Sequence, residues 1–290
     1  MNILLDARNI TKQYRGTSIL ENVSFTIYDN QIIAIVGKNG SGKSTLLKMI
    51  AGLITPDNGS FMSSKQALKI GYVPEVAPST ILFTPKEYLQ HMGRIRGMAK
   101  QKLLSRINDL LILFHLEDVQ DTRMTHFSKG MKQKIMIMQA MLNETDLLIL
   151  DEPLSGLDLQ TQNDLEETLK TLKQRGMTII LSCHETKLLE HVVDTILMIH
   201  HKEVMQTDLS VTPTTYNQLI FEISNITYIK DLLHVTEIQQ QSPLANGFYE
   251  VIVHIQAQRT DHLLQQLLDK NASIKQLIPI NDKEKFIQHD

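Results

Sequence analysis

The stretch Gly37-Lys38-Asn39-Gly40-Ser41-Gly42-Lys43-Ser44 decides the fold, because it fits the phosphate-loop pattern GxxxxGK(S/T). The apolar run from Gln31 to Val36 predicts a buried strand before this loop, and residues Thr45 to Ile50 predict a helix after it. The pattern is specific only in such a strand–loop–helix context, because elsewhere it is a glycine-rich turn with a chance lysine. The context therefore predicts a phosphate site at this loop.

Each residue type in the loop has a physical reason. Glycines tolerate positive φ, so the backbone can curl and point its N–H groups at phosphate oxygens. Lys43 supplies a positive charge to the β and γ phosphates, and the hydroxyl of Ser44 is available to Mg²⁺. The helix that starts near Lys43 adds the positive end of its dipole. We expect ATP and Mg²⁺ at these residues: Gly37, Lys38, Asn39, Gly40, Ser41, Gly42, Lys43, Ser44 and Thr45.

Two carboxylates follow a second apolar run, Leu147 to Leu150. The carboxyl end of a strand is where an open α/β sheet places ligand groups. We predict that Asp151 holds Mg²⁺, directly or through water, and that Glu152 orients or deprotonates the attacking water. The alternative for this segment alone is an acidic turn, and the phosphate loop upstream argues against it.

A histidine follows the apolar strand Thr178–Ser182. At that position His184 can donate to the γ-phosphate and act in catalysis, although a histidine beside an apolar strand is more often structural. Cys183, the single cysteine, is predicted to be a small buried residue rather than a nucleophile. With one cysteine the chain forms no internal disulfide, which fits a reducing cytosol.

Length and charge restrict the function further. The chain has 290 residues, 29 of them basic and 32 acidic, for a formal net charge of -3. The length predicts about two domains. The charge builds no large positive field, so no nucleic-acid partner is expected. No apolar run approaches the ~20 residues that a membrane helix needs, so any membrane crossing is expected to belong to another chain.

The order of elements predicts an α/β fold with a helical insertion. Residues 57–74 predict a short β arm, and the pattern is mostly helical through a subdomain at about 84–144. Strands and helices then alternate in these ranges: 147–150, 160–174, 177–182, 185–191 and 195–199. We predict an ATPase domain at 1–211.

The composition changes after about Val211, and residues 212–290 are predicted to form a small C-terminal accessory α+β domain. The predicted elements are a strand at Tyr249–Ile255, an amphipathic helix at His262–Leu268 and a strand at Ile274–Ile280. This part contains none of the phosphate or metal motifs. We expect it to contact another subunit or a second copy, with plain packing on the ATPase domain as the alternative.

These motifs, in this order, resemble those of the ABC ATPase family over about residues 2–210. The decisive segment is Phe127-Ser128-Lys129-Gly130-Met131-Lys132-Gln133-Lys134, which lies where that family has its LSGGQ signature. Its serine and glycine match the second and fourth positions, whereas its phenylalanine, first lysine and methionine depart from them. The resemblance implies that Ser128, Lys129 and Gly130 cap the ATP held by a partner subunit. Without the resemblance, this segment would be interpreted as an ordinary N-capped helix.

Three further positions take roles from the resemblance. The segment Ser155-Gly156-Leu157-Asp158 matches the D-loop, which crosses the dimer interface. Tyr14 lies where the family has an aromatic ring stacked on adenine, with surface packing as the alternative. Glu75 falls where the family has the Q-loop glutamine. A carboxylate there can ligate Mg²⁺ or position water, and it differs from the glutamine in its negative charge.

The resemblance implies a P-loop NTPase fold of the ABC ATPase type: an α/β core with an antiparallel β arm and a helical subdomain. It implies an ATP-hydrolysing transporter subunit at the inner face of the cell membrane, in the cytoplasm, working with separately encoded transmembrane permease subunits. It also implies two ATPs in a homodimer, or in a heterodimer with a second ABC ATPase. The tail is similar to small tails on bacterial exporters of the drug and antibiotic-peptide type, which favours export. The alternative is a soluble ABC-class ATPase acting on ribosomes or nucleic acid; a P-loop kinase leaves the signature unexplained.

Overall fold

The computed structural model describes residues 2–76, 78, 81–183, 192–209, 216–224, 237–244 and 247–280. The chain divides into two compact units, Met1–Leu209 and Ser210–Asp290. His184 and the helix predicted at 185–191 lie outside the described residues.

The first unit contains nine described strands and five described helices. The strands are β1 Ile3–Tyr14, β2 Thr17–Tyr28, β3 Ile32–Val36, β4 Asn58–Ser63, β5 Ile70–Val73, β6 Leu147–Leu150, β7 Thr178–Ser182, β8 Thr195–His200 and β9 Glu203–Asp208. The helices are α1 Lys43–Ile50, α2 Pro85–Ile95, α3 Lys100–Leu113, α4 Lys129–Ala140 and α5 Leu159–Gln174.

A six-stranded sheet in the order β5-β6-β7-β3-β8-β9 forms the centre of this unit. All neighbours are parallel except β8 and β9, which form an antiparallel hairpin at one edge. The parallel strands are mostly apolar because both faces of the sheet are covered, and every residue of β6 is buried. The carboxyl ends of β3, β6 and β7 therefore meet at one edge, where the phosphate loop and Asp151 follow their strands.

A second, antiparallel sheet has the order β2-β1-β4 and is the β arm of this fold. The prediction that residues 57–74 form this arm is wrong at its C-terminal end, because Ile70–Val73 pairs in parallel with β6 in the central sheet. The alternation in this four-residue run does not distinguish a strand of the arm from a strand of the core.

The helical subdomain consists of α2, α3 and α4. Thr84 begins α2 with a reciprocal cap, since its hydroxyl accepts from the Glu87 N–H while the Glu87 carboxylate accepts from the Thr84 N–H. In α3 the apolar residues at helical spacing, such as Leu103 and Ile107, are buried. Gly93 allows α2 and α3 to pack closely, because a Cβ there would lie 2.2 Å from Leu103 Cδ1. In the described part of the chain, no helix is long and apolar enough to cross a bilayer.

The second unit is a small α+β structure. Its described strands are β10 Tyr216–Ile223, β11 Glu237–Pro243, β12 Tyr249–Gln256 and β13 Ser273–Ile280, and its described helix is α6 Ala257–Asp269. The antiparallel sheet has the order β11-β12-β10-β13. One face of the sheet and α6 share a buried core: Leu219, Phe221, Ile223, Val251, Val253, Ile255, Leu263, Leu267 and Ala272.

Candidate nucleotide-binding site

The phosphate loop joins β3 to α1 as a tight curl. Gly42 caps the start of α1 with φ 106°, a conformation that favours glycine, and a Cβ there would lie 2.8 Å from Ile19 Cγ2. A side chain on Gly37 would be equally crowded, since its Cβ would lie 2.9 Å from the Ile199 carbonyl oxygen. These two glycines let the backbone run close to its neighbours and leave the concave side of the loop for a ligand.

Two polar side chains of this loop fit a phosphate. Lys43 is buried, with 5% of its surface exposed, and its ammonium donates to the Gly37 carbonyl oxygen at 3.0 Å. The Ser41 hydroxyl oxygen is buried, and it has no hydrogen-bond partner among the described residues. A buried hydroxyl without a partner is costly, and an anionic oxygen in the loop would satisfy it.

Next to the loop lies a pocket of about 460 Å³. It brings together most of the residues predicted to bind nucleotide or metal: Tyr14, Asn39, Gly40, Gly42, Lys43, Ser44, Thr45, Glu75 and Glu152, with Ile19 beside them. Tyr14 is 46% exposed, and the Lys12 ammonium lies 5.5 Å from the centre of its ring. The ring thus has surface available for stacking at the mouth of the pocket.

Asp151 lies beneath the pocket and is almost fully buried. Its Oδ1 accepts from the Ser44 hydroxyl at 3.1 Å and from the Ser182 hydroxyl at 2.8 Å, while its Oδ2 accepts from the Tyr72 hydroxyl at 3.3 Å. Burial and the neighbouring Asp151 carboxylate raise the pKa of the Tyr72 phenol, so the phenol stays protonated and donates. Ser44 and Asp151 place a hydroxyl and a carboxylate together, which are oxygen ligands suited to Mg²⁺.

Glu152 follows with an unusual backbone. Its φ is 47°, in the left-handed region, and its N–H donates to the Ser182 hydroxyl at 2.8 Å. The turn directs the carboxylate into the pocket, where Oε1 lies 3.7 Å from the Lys43 ammonium. The structure therefore brings Glu152, Lys43 and Ser44 to one site.

Sequence reasoning missed Tyr72 and Ser182. Each is a hydroxyl residue in a mostly apolar strand, and no motif includes it. The available signal was position alone, since Ser182 ends β7 at the same sheet edge as Asp151.

The signature segment lies outside this pocket. Ser128 caps α4, its hydroxyl accepting from the Met131 N–H at 3.2 Å, and the Lys129 ammonium donates to the Ser155 carbonyl oxygen. Gly130 packs against Thr161, since a Cβ there would lie 2.1 Å from Thr161 Cγ2. Ser128, Lys129 and Gly130 are not among the described residues that line the pocket next to the phosphate loop, which we call the phosphate pocket.

A second pocket, of about 310 Å³, adjoins the signature segment and is lined by Glu75, Val76, Pro78, Lys129, Lys132, Gln133 and Ser155. Glu75 thus lines both pockets, and on the second side it faces two lysines.

A mostly parallel sheet with a phosphate loop at its carboxyl edge defines a P-loop NTPase. The family model described as ABC transporter matches residues 20–155. Over 209 residues the chain is 34% identical to the ABC transporter ATP-binding protein NatA of Bacillus subtilis (strain 168), an alignment covering 69% of this chain and 85% of NatA. Over 289 residues it is 29% identical to the linearmycin resistance ATP-binding protein LnrL of the same organism, covering 91% of this chain and 93% of LnrL.

A solved structure of the ATP-binding subunit of an ABC transporter superposes with a TM-score of 0.63 at 32% identity, covering 71% of this chain and 90% of that one. The chain belongs to the family of ABC transporter ATP-binding proteins. It is an ATP-binding and ATP-hydrolysing subunit, of a kind that dimerises and works with separate membrane permease subunits. The predicted fold class and the predicted ATPase function are confirmed.

Proposed function

We propose that this chain binds ATP with Mg²⁺ in the pocket beside its phosphate loop and hydrolyses it with Glu152 to drive export through separate permease subunits. The observation that carries the proposal is the convergence of Lys43, Ser44 and Glu152 on one pocket, with the Ser41 hydroxyl oxygen buried and unsatisfied beside it. A phosphate chain is the ligand that this donor set matches.

Each residue has a separate task in this proposal. Lys43 and the loop N–H groups bind the phosphates, and Tyr14 stacks on adenine. Ser44 and Asp151 hold Mg²⁺, which neutralises phosphate charge when bound, while Glu75 is a further candidate ligand. Glu152 orients or deprotonates the attacking water, and His184 is proposed to contact the γ-phosphate.

We further propose a head-to-tail dimer, because the signature segment lies away from the nucleotide pocket of its own chain. Ser128, Lys129 and Gly130 would then cap the ATP of a second copy or of a related ATPase subunit. The start of α4 presents N–H donors and the Ser128 hydroxyl there, which suits an anionic γ-phosphate.

We also propose that the permease subunits contact this chain at its helical subdomain and at the loop that contains Glu75, on the cytoplasmic face of the membrane. Val76 and Leu82 are large apolar residues, 78% and 63% exposed, in the segment between β5 and α2. Exposed apolar side chains in one segment suit a protein partner. Export is supported by similarity to a linearmycin resistance protein along 91% of the chain, including the second unit.

The test is the substitution Lys43→Ala in the full-length chain. It removes the charge that meets the phosphates, so calorimetry should show ATP binding weakened by at least about tenfold, in keeping with a charge-assisted contact of about 1.5–3 kcal/mol. The matched control is Lys48→Ala, which removes an exposed lysine of the same helix and should leave affinity unchanged. Equal ATP affinity in wild type and Lys43→Ala contradicts the proposed site.

A further inference from the structure

The Ser182 hydroxyl contacts two consecutive acidic residues, Asp151 through its side chain and Glu152 through its backbone. It donates to Asp151 Oδ1 at 2.8 Å and accepts from the Glu152 N–H at 2.8 Å. Ser182 is completely buried, at 0% exposure. A serine hydroxyl has one proton to donate. This proton is donated to Asp151, while the hydroxyl oxygen accepts the hydrogen bond from the Glu152 N–H.

The two contacts control different features of the site. The contact with Asp151 fixes the direction of a carboxylate whose other oxygen is held by Tyr72. The contact with the Glu152 N–H holds a peptide whose φ of 47° is unfavourable for a residue with a Cβ. If this hydrogen bond is lost, the Glu152 backbone can relax towards an ordinary conformation, and its carboxylate then leaves its position in the pocket.

We propose that Ser182 is a positioning residue for ATP hydrolysis. Its single hydroxyl fixes the Asp151 side chain and the Glu152 backbone relative to each other. The inference rests on the proposed roles of those two residues. Ser44 also donates to Asp151 Oδ1, but its hydroxyl is the one proposed to face Mg²⁺. Ser182 and Tyr72 are therefore the described side chains that orient Asp151 without a proposed role at the ligand itself.

The same strand contains a matched structural hydroxyl. Thr178, at the start of β7, is also buried, and its hydroxyl accepts from the Asn30 N–H at 2.9 Å. It contacts a loop at the opposite end of the strand and neither acidic residue. Removing each hydroxyl in turn separates the general effect of a lost buried hydrogen bond from an effect on the catalytic turn.

The experiment measures steady-state ATP hydrolysis and ATP binding for full-length Ser182→Ala, Ser182→Thr and Thr178→Val. In Ser182→Ala, kcat should fall about 10- to 100-fold, the range typical for loss of a partner that orients a ligand residue, while ATP affinity measured without Mg²⁺ stays at the wild-type value. Ser182→Thr keeps the hydroxyl and should recover most of the turnover. Thr178→Val should lower the melting temperature but keep kcat.

Two results would overturn the inference. One is a Ser182→Ala protein with wild-type kcat. The other is a Ser182→Ala protein that loses its affinity for ATP without Mg²⁺, or its folded state, together with turnover, because the role is then structural. Both differ from failure of the proposed function, in which Glu152→Gln hydrolyses ATP at the wild-type rate or Lys43→Ala binds ATP normally.

Discussion

Glu152 combines a proposed catalytic role with a backbone conformation that most residues avoid. The left-handed region costs a residue with a Cβ about 1–2 kcal/mol, yet this turn adopts it at φ 47° directly after the buried strand β6. The hydrogen bond from the Glu152 N–H to the Ser182 hydroxyl helps to hold this turn. The result is a carboxylate directed at the phosphate loop instead of lying along the strand.

Replacing Glu152 by glutamine should separate binding from hydrolysis. The amide keeps the size of the side chain and leaves the phosphate loop intact, so ATP should still bind, while turnover should fall about 10²- to 10⁴-fold as the general base is lost. Phosphate release and calorimetry measure the two effects. Glu167→Gln, at an exposed glutamate of α5, is the control and should hydrolyse normally.

The same variant addresses the dimer, because ATP that is bound but not hydrolysed should hold two chains together. Light scattering with ATP and Mg²⁺ should report a dimer for Glu152→Gln and a smaller fraction of dimer for wild type. A variant that stays monomeric with ATP bound, in the presence of its permease as well as alone, contradicts the head-to-tail arrangement.

At the scale of elements, the sequence predicted the segments whose pattern is local. β3, α1, β6 and α5 were predictable because apolar runs and helical spacing adjoin motifs of known geometry. β10 and β11 were not predicted, since their pairing is set by long-range contacts with β12. The partner of β5 is also set by long-range contacts, so β5 was assigned to the wrong sheet. Ser182 was not recognised as a partner of Asp151 because the two residues are far apart in sequence.

The start of α5 provides a prediction about pH. The Asp158 carboxylate accepts from the Thr161 N–H at 2.9 Å and from the Thr161 hydroxyl at 2.7 Å, and the backbone hydrogen bond holds the pKa of Asp158 below its ordinary value of 3.8. A lowered folded-state pKa stabilises the fold above the unfolded pKa, and the contribution is lost as pH falls through the folded pKa. Asp158→Ala should therefore lower the melting temperature by a constant amount between neutral pH and about pH 5.

The difference between wild type and Asp158→Ala should shrink only below about pH 3.8, where the Asp158 carboxylate takes up a proton in the unfolded chain but still resists protonation in the folded chain. Denaturation curves across this range measure it. Asp164→Ala, at an exposed aspartate inside α5, is the control and should change stability little at any pH. A difference that shrinks already between pH 7 and 5 would show that another group is responsible.

At the scale of the whole molecule, the proposed catalytic groups and the second unit are separate in sequence. Every described residue that lines the phosphate pocket belongs to Met1–Leu209. The second unit has a core of its own, in which β10, β12 and α6 bury residues such as Phe221, Val253 and Leu267. A unit with its own core does not need the other unit to bury its apolar surface.

Truncation should therefore leave nucleotide binding intact. A fragment of residues 1–209 keeps the phosphate loop, Asp151, Glu152 and the signature segment, so calorimetry should give the ATP affinity of the full chain. The same fragment with Lys43→Ala is the negative control. A folded fragment, by circular dichroism, that no longer binds ATP would make residues 210–290 part of the site. An insoluble fragment would mean that the second unit covers apolar surface of the first. The division into an ATPase domain and an accessory domain would then be wrong, because removing the second unit would expose apolar surface of the first.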